Sequence, residues 1–178
     1  MLRIILINGL ISGVVIIAGI LGTILLGGGH SSLWLGYLIM LVALSSILVG
    51  VKQYRDRDLG GVIGFGKALL MGLGIAVTAS IAYVLVWEIY LAVTHYAFID
   101  QYTASILAAK RAAGVTGAEY QKAVAEMDTL RRQYADPLFR LPMTFVEIFP
   151  VGVLVALVSA ALVRNPRFLP ARSRPVAA

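Results

Sequence analysis

Four long apolar segments dominate the hydrophobic pattern, and polar residues cluster between them. The segments run over about 4–26, 33–51, 68–92 and 141–163. A helix needs roughly 20 apolar residues to cross the hydrocarbon core of a bilayer. The pattern therefore predicts an all-α integral membrane protein with four transmembrane helices.

The segment between the third and fourth spans, about 97–136, has a different pattern. Charges return, and apolar residues recur every three or four positions, which is typical of amphipathic helices. The second such pattern comprises Tyr120, Val124, Met127, Leu130 and Tyr134. Gly114 is placed to end a first helix, and Asp136-Pro137 to end a second. We predict a water-facing helical hairpin.

The four spans and the hairpin are predicted to form one membrane domain, 1–164. Residues 164–178 contain four arginines and three prolines. Such a composition buries too little apolar surface to offset the entropy of ordering the chain. Residues 165–178 are therefore predicted to be a disordered basic tail.

Composition supports the membrane assignment and excludes several classes of function. Of the 178 residues, 60% are hydrophobic and 13% are charged, whereas soluble domains carry about 25% charged residues. A compact soluble catalytic domain is thereby excluded. Cysteine is absent, which excludes disulfides, thiolate metal sites and cysteine nucleophiles.

The distribution of charge predicts the orientation, because positively charged loops are retained in the cytoplasm. The side that carries both termini holds nine cations against Asp56 and Asp58: Arg3, Lys52, Arg55, Arg57, Lys67, Arg164, Arg167, Arg172 and Arg174. The hairpin side holds six cations against five acids. Both termini are predicted to be cytoplasmic. The net charge of +6 then reflects topology, and no nucleic-acid partner is expected.

Two carboxylates fall inside the predicted spans and form a candidate polar or proton site. Glu88 lies near the end of the third span, and Glu147 lies six residues into the fourth. At a rise of about 1.5 Å per residue, both are expected at a similar depth in the outer leaflet. If the two helices are neighbours, the acids would bind a proton, a cation or a basic group, with Arg140 and His95 as partners.

A structural role for these acids is the alternative. Each acid would then be hydrated at the membrane interface, or hydrogen-bonded to Arg140 or to tyrosine hydroxyls, and would hold helices in register. No metal site is predicted, because nothing in the sequence fixes the geometry that a metal needs. No cofactor is predicted either.

A second candidate site lies in the basic stretch before the third span. Residues 61–67 fit the G-x-x-x-x-G-K pattern of a phosphate-binding loop, but Ala68 stands where Ser or Thr must bind magnesium. A nucleoside triphosphatase is therefore excluded. An anionic lipid headgroup is a candidate ligand of the cations here, which are Lys52, Arg55, Arg57 and Lys67. The alternative is that they only anchor the chain on the cytoplasmic side.

Three strings in the chain resemble those of a known family. They are GVKQYRD at 50–56, LGG at 59–61 with FGKA at 65–68, and RLPMTFVEIFPVG at 140–152. Together they resemble a bacterial multi-span membrane family known as domain-of-unknown-function family 4199, and the string TFVEIFPVG is the most specific. The resemblance implies a small bacterial membrane protein and gives weight to Arg140, Glu147 and Pro150, but it implies no activity.

These observations predict an accessory or scaffolding protein of the bacterial inner membrane, with a periplasmic hairpin. No catalytic set is present, so an enzyme is not expected. Association with itself or with another membrane protein would use small-residue helix faces, such as that of Gly9 and Gly13. The alternative is a carrier or lipid-handling protein that uses Glu88 and Glu147 as a protonatable pair in the outer leaflet.

Overall fold

The computed structural model describes residues 1–26 and 33–170, and it is helical apart from short turns. The helices are α1 (Leu2–Leu26), α2 (Leu33–Leu44), α3 (Ser46–Asp58), α4 (Phe65–Val93), α5 (Ala97–Ala112), α6 (Gly117–Ala135) and α7 (Pro137–Val163). Four helical segments are long and apolar enough to cross a membrane: Leu2–Thr23, Trp34–Asp58, Phe65–Val93 and Pro137–Val163. The prediction of an all-helical protein with four membrane-spanning helices is confirmed.

The second membrane-spanning segment consists of α2 and α3, which follow each other closely. Only Ser45 separates them, and its amide donates to the carbonyl of Leu41 at 3.0 Å. The helix extends to Asp58, seven residues beyond the end of the apolar run at Val51. An ion pair between Lys52 and Asp56, four residues apart, stabilises this charged extension.

The chain forms two compact units. The first comprises residues 1–83 and 147–178, of which 27–32 and 171–178 lie outside the described part, and the second comprises residues 84–146. Most of the predicted basic tail, with Arg172 and Arg174, is therefore outside the described residues. Residues 164–170, which follow α7, form turns.

Small residues let the helices of the first unit approach closely. A Cβ atom at Gly13 of α1 would lie 2.6 Å from the Cβ of Ala82 and 2.8 Å from the carbonyl oxygen of Ala79, both in α4. A Cβ at Gly152 of α7 would lie 2.8 Å from the Cβ of Ala76. The Gly9 and Gly13 face of α1 therefore packs against α4 of the same chain.

Buried hydroxyls add hydrogen bonds between α1 and the second span. The Ser12 hydroxyl donates to the carbonyl of Ala43 at 3.0 Å, and the Ser46 hydroxyl donates to the carbonyl of Asn8 at 3.3 Å. Each hydroxyl has one proton, so it donates either to its carbonyl or to the other hydroxyl, and the two oxygens lie within hydrogen-bond distance of each other. Such bonds take the place of water, which is absent from hydrocarbon.

The second unit contains the α5–α6 hairpin. α5 ends at Ala112, and Gly114 follows with a φ of 81°, a conformation that glycine adopts without steric cost. Arg131 of α6 lies 3.2 Å from the carboxylate of Asp100 in α5. The placement of this hairpin in the periplasm stays a prediction.

Replacing Gly13 by alanine is expected to destabilise the protein, because the added methyl group meets Ala82 and the backbone of Ala79. We expect the free energy of unfolding to fall by about 1–3 kcal/mol, measured by denaturant titration in mild detergent. Gly22→Ala is the matched control, since nothing lies within 4 Å of a Cβ placed there. It is expected to raise stability by about 0.5–1 kcal/mol, and equal destabilisation by both substitutions would contradict the packing argument.

Candidate functional site

An ion pair between Arg140 and Glu88 forms the centre of the second unit. Arg140 donates from Nε to Glu88 Oε1 at 2.7 Å and from Nη2 to Glu88 Oε2 at 2.8 Å. Two parallel bonds of this kind match the flat guanidinium to the flat carboxylate. Only 3% of the Arg140 side chain and 24% of the Glu88 side chain are exposed.

The remaining end of the guanidinium binds the last turn of α6. Nη1 of Arg140 donates to the carbonyl of Tyr134 at 2.8 Å and to that of Ala135 at 3.5 Å. The last carbonyls of a helix have no partner within the helix and carry partial negative charge. We call this arrangement, Arg140 with the Glu88 carboxylate and the carbonyls of Tyr134 and Ala135, the arginine clamp.

Aromatic side chains enclose the arginine clamp. The guanidinium carbon of Arg140 lies 5.1 Å from the centre of the Tyr96 ring and 5.8 Å from that of Tyr134, within the range of cation–π attraction. The indole Nε1 of Trp87 donates to the Tyr134 hydroxyl at 2.8 Å. Phe98 meets the Trp87 ring edge-on at 4.9 Å. These contacts join the end of α4, both helices of the hairpin and the start of α7.

Local sequence explains why these side chains meet. Arg140 begins a stripe of buried residues on α7 with a spacing of four, which places its members on one face of the helix. The stripe continues through Thr144, Ile148, Gly152, Ala156 and Ala160. At the end of α4, His95 and Tyr96 have φ angles of 51° and 58°. This left-handed turn redirects the chain into α5 and brings Tyr96 over the arginine.

The other two residues of the predicted polar site lie elsewhere. His95 is exposed in the turn between α4 and α5. Glu147 is exposed on α7 and belongs to the first unit. The arginine clamp therefore joins two of the four predicted residues, Glu88 and Arg140. Trp87 and the α6 carbonyls were not among the predicted site residues.

A cavity of about 370 Å³ lies beside the arginine clamp. Its lining includes Arg131, Arg140, Tyr96 and Tyr134. The lining offers guanidinium and phenol groups together with aromatic faces. Arginine does not lose its proton in proteins, so the two cations here can orient an acceptor but cannot exchange protons with it. Among the described residues, no group of three or more acidic or histidine side chains could hold a metal ion.

The four cations of the predicted lipid site lie in the first unit and differ in exposure. Arg57 and Lys67 are exposed, whereas Lys52 is half-buried and paired with Asp56. Arg55 is fully buried. Its place follows from the spacing of Ile47, Val51 and Arg55, because the buried face of α3 continues into the charged segment with a period of four. The guanidinium of Arg55 is thus directed into the protein rather than toward a headgroup.

Arg55 binds the end of α7 and the turn that follows. It donates from Nη1 to the carbonyls of Val163 at 3.3 Å and Phe168 at 2.9 Å, and from Nη2 to that of Leu169 at 2.5 Å. Its Nε donates to Asp56 at 2.7 Å. In the sequence, this contact is indicated only by the four-residue spacing that continues the buried face of α3 to Arg55. The acceptors themselves are backbone carbonyls more than 100 residues away.

The four long apolar helical segments define a helical membrane protein. Residues 7–165 match the model of a family described as protein of unknown function (DUF4199), and the chain belongs to this family. The resemblance predicted from the three strings is thereby confirmed. No similar protein was found among the curated proteins or among the solved structures.

Removing one partner of the arginine clamp is expected to destabilise the protein because it leaves the other charge without compensation. We expect Arg140→Gln to lower the free energy of unfolding by about 3–5 kcal/mol, the usual cost of breaking a buried pair. Denaturant titration in detergent, followed by tryptophan fluorescence, measures this loss.

A double-mutant cycle separates the ion pair from general damage. Glu88→Gln combined with Arg140→Gln should cost less than the sum of the single changes, because neither charge is then left unpaired. Arg132→Gln is the control, since Arg132 is exposed and its side chain bonds to Thr129 of the same helix. It should change stability by less than about 0.5 kcal/mol. Strict additivity of the two clamp substitutions would show that the pair is not coupled.

Proposed function

We propose that the protein is an accessory or scaffolding protein of the bacterial inner membrane, and that its α5–α6 hairpin presents a fixed surface to a protein partner. The observation that supports this proposal is the arginine clamp. Four donor contacts of Arg140 are made to groups of the same unit. Because these contacts are made to α4 and to the end of α6, Arg140 holds those helices to the start of α7.

The clamp supports a scaffold because of what it connects. Glu88 lies on α4, Arg140 on α7, and the bound carbonyls lie at the end of α6. The ion pair between Arg131 and Asp100 connects α6 to α5. The hairpin is therefore bound to α4 and α7 through the end of α6, and its two helices are bound to each other, which keeps its outer surface in one orientation for a partner. Preorganisation of this kind reduces the entropic cost of association.

The ion pair of Glu88 with Arg140 weighs against the carrier or lipid-handling alternative. A carrier of the kind predicted from the sequence would use Glu88 and Glu147 as a protonatable pair. Both carboxylate oxygens of Glu88 accept short hydrogen bonds from Arg140 and are therefore already engaged. Binding a proton or another cation at this carboxylate would require the clamp to open first. Glu147 is the remaining acid of that alternative.

The experiment is photo-crosslinking in intact cells from a probe on the exposed face of α6. We expect a probe at Ala125, which is exposed, to capture one protein at a fixed stoichiometry, identified as a membrane protein or as a second copy. Arg140→Lys should reduce this adduct, because lysine cannot form the paired bonds to Glu88. A probe at Leu154, an exposed apolar position of α7, is the control for random membrane contacts.

Native mass spectrometry distinguishes the alternative. The scaffold proposal predicts that protein released in mild detergent carries the same partner or oligomeric state in wild type and in Glu147→Gln. A stoichiometric small adduct that the wild type carries and Glu147→Gln lacks would support a carrier instead. Equal adducts from the Ala125 and Leu154 probes, unchanged by Arg140→Lys, would overturn the scaffold proposal.

A further inference from the structure

The described ends of four helical segments meet at one end of the first unit. α1 and the second span run antiparallel, since Gly19 approaches Ile39, Ser12 approaches Ala43, and Asn8 approaches Gly50. The start of α1 is therefore beside the end of α3. The turn of residues 59–64 leads directly into α4, and Arg55 binds the end of α7.

Exposed cations outnumber exposed acids at this end. We call the exposed cations the basic rim: Arg3, Arg57, Lys67, Arg164 and Arg167. Of the two acids here, Asp56 is only 16% exposed and is held by Lys52 and Arg55. Asp58 is the one exposed acid at this end within the described ranges. The basic rim thus carries five positive charges against one negative charge.

Arg55 positions part of the basic rim. Its bonds to the carbonyls of Phe168 and Leu169 hold the segment after α7 against the end of α3. Arg164 and Arg167 lie on this held segment, between the end of α7 and the two bound carbonyls. Arg55 is therefore a positioning residue, which keeps the segment carrying these two cations against the end of α3.

We propose that the basic rim binds anionic phospholipid headgroups of the leaflet in which these helices end. The rim follows directly from helices that are long and apolar enough to cross the bilayer, so its cations lie at the level of the lipid phosphates. Cations beside a leaflet that contains anionic lipids are each attracted to it, and their contributions accumulate. The excess of exposed positive charge fits phosphate-bearing headgroups rather than zwitterionic ones.

The test counts the lipids that the purified full chain retains. Protein is exchanged in mild detergent against equal amounts of phosphatidylglycerol and phosphatidylcholine, and retained lipids are counted by native mass spectrometry. One double variant combines Arg57→Gln and Lys67→Gln, and a second combines Arg164→Gln and Arg167→Gln. Each removed cation should lower the retention of phosphatidylglycerol about fivefold, while retention of phosphatidylcholine stays constant.

The matched control removes the same charge elsewhere. Lys122 and Arg132 are exposed on α6 of the second unit, and their double replacement by glutamine should leave phosphatidylglycerol retention unchanged. All of the side chains replaced by glutamine are exposed, so these variants are expected to fold, and unchanged thermal midpoints verify this. Arg55→Lys should lower retention in the same way as loss of Arg164 and Arg167, because it loosens the segment that carries them.

Two results would overturn the proposal. Equal phosphatidylglycerol retention in wild type and in both rim variants would show that these cations do not select lipids. Full displacement of phosphatidylglycerol by millimolar inorganic phosphate would indicate a free-anion site rather than a headgroup surface. Because the rim belongs to the first unit and the hairpin probe at Ala125 to the second, either proposal can fail without the other.

Discussion

A guanidinium that closes the end of a helix is the interaction on which both units depend. Arg140 binds the last carbonyls of α6, and Arg55 binds the last residue of α7. In each case a carboxylate balances the charge, Glu88 in one and Asp56 in the other. A buried charge and a set of unpaired carbonyls are each costly in a low-dielectric environment, and here each relieves the other.

The two guanidiniums act at different ranges. Glu88 and Arg140 are 52 residues apart and lie on α4 and α7, so their pair fixes tertiary structure directly. Asp56 is the neighbour of Arg55 along the chain, so that ion pair only neutralises charge locally and leaves Nη1 and Nη2 for distant carbonyls. The helices of the first unit are joined mainly by close glycine and alanine contacts rather than by ion pairs, because apolar helices associate in lipid through shape and van der Waals contact.

Sequence pattern predicts the helices well and the site only in part. Apolar runs determine the four spans, since a bilayer permits few alternatives to a helix at that depth. Glu88 stands out because a charge in an apolar segment is costly, and Arg140 is a candidate partner just before the fourth span, but their pairing depends on which helices are neighbours, and hydrophobicity does not encode this. The burial of Arg55 was missed because composition marks residues 52–58 as water-facing, whereas the period of Ile47 and Val51 continues through Arg55. The α6 carbonyls belong to the backbone, so no residue type in the sequence indicates that they bind Arg140.

The contacts of Arg55 also impose an order on assembly. Arg55 and Leu169 are separated by 114 residues, and a ribosome adding about 5–20 residues per second needs roughly 6–23 s to cover that distance. During this interval α3 has left the ribosome while its guanidinium lacks the carbonyls that it will bind. Synthesis of the segment after α7 therefore completes the coordination of a residue made much earlier. The buried arginine thereby couples closure of the first unit to translation of its last described segment.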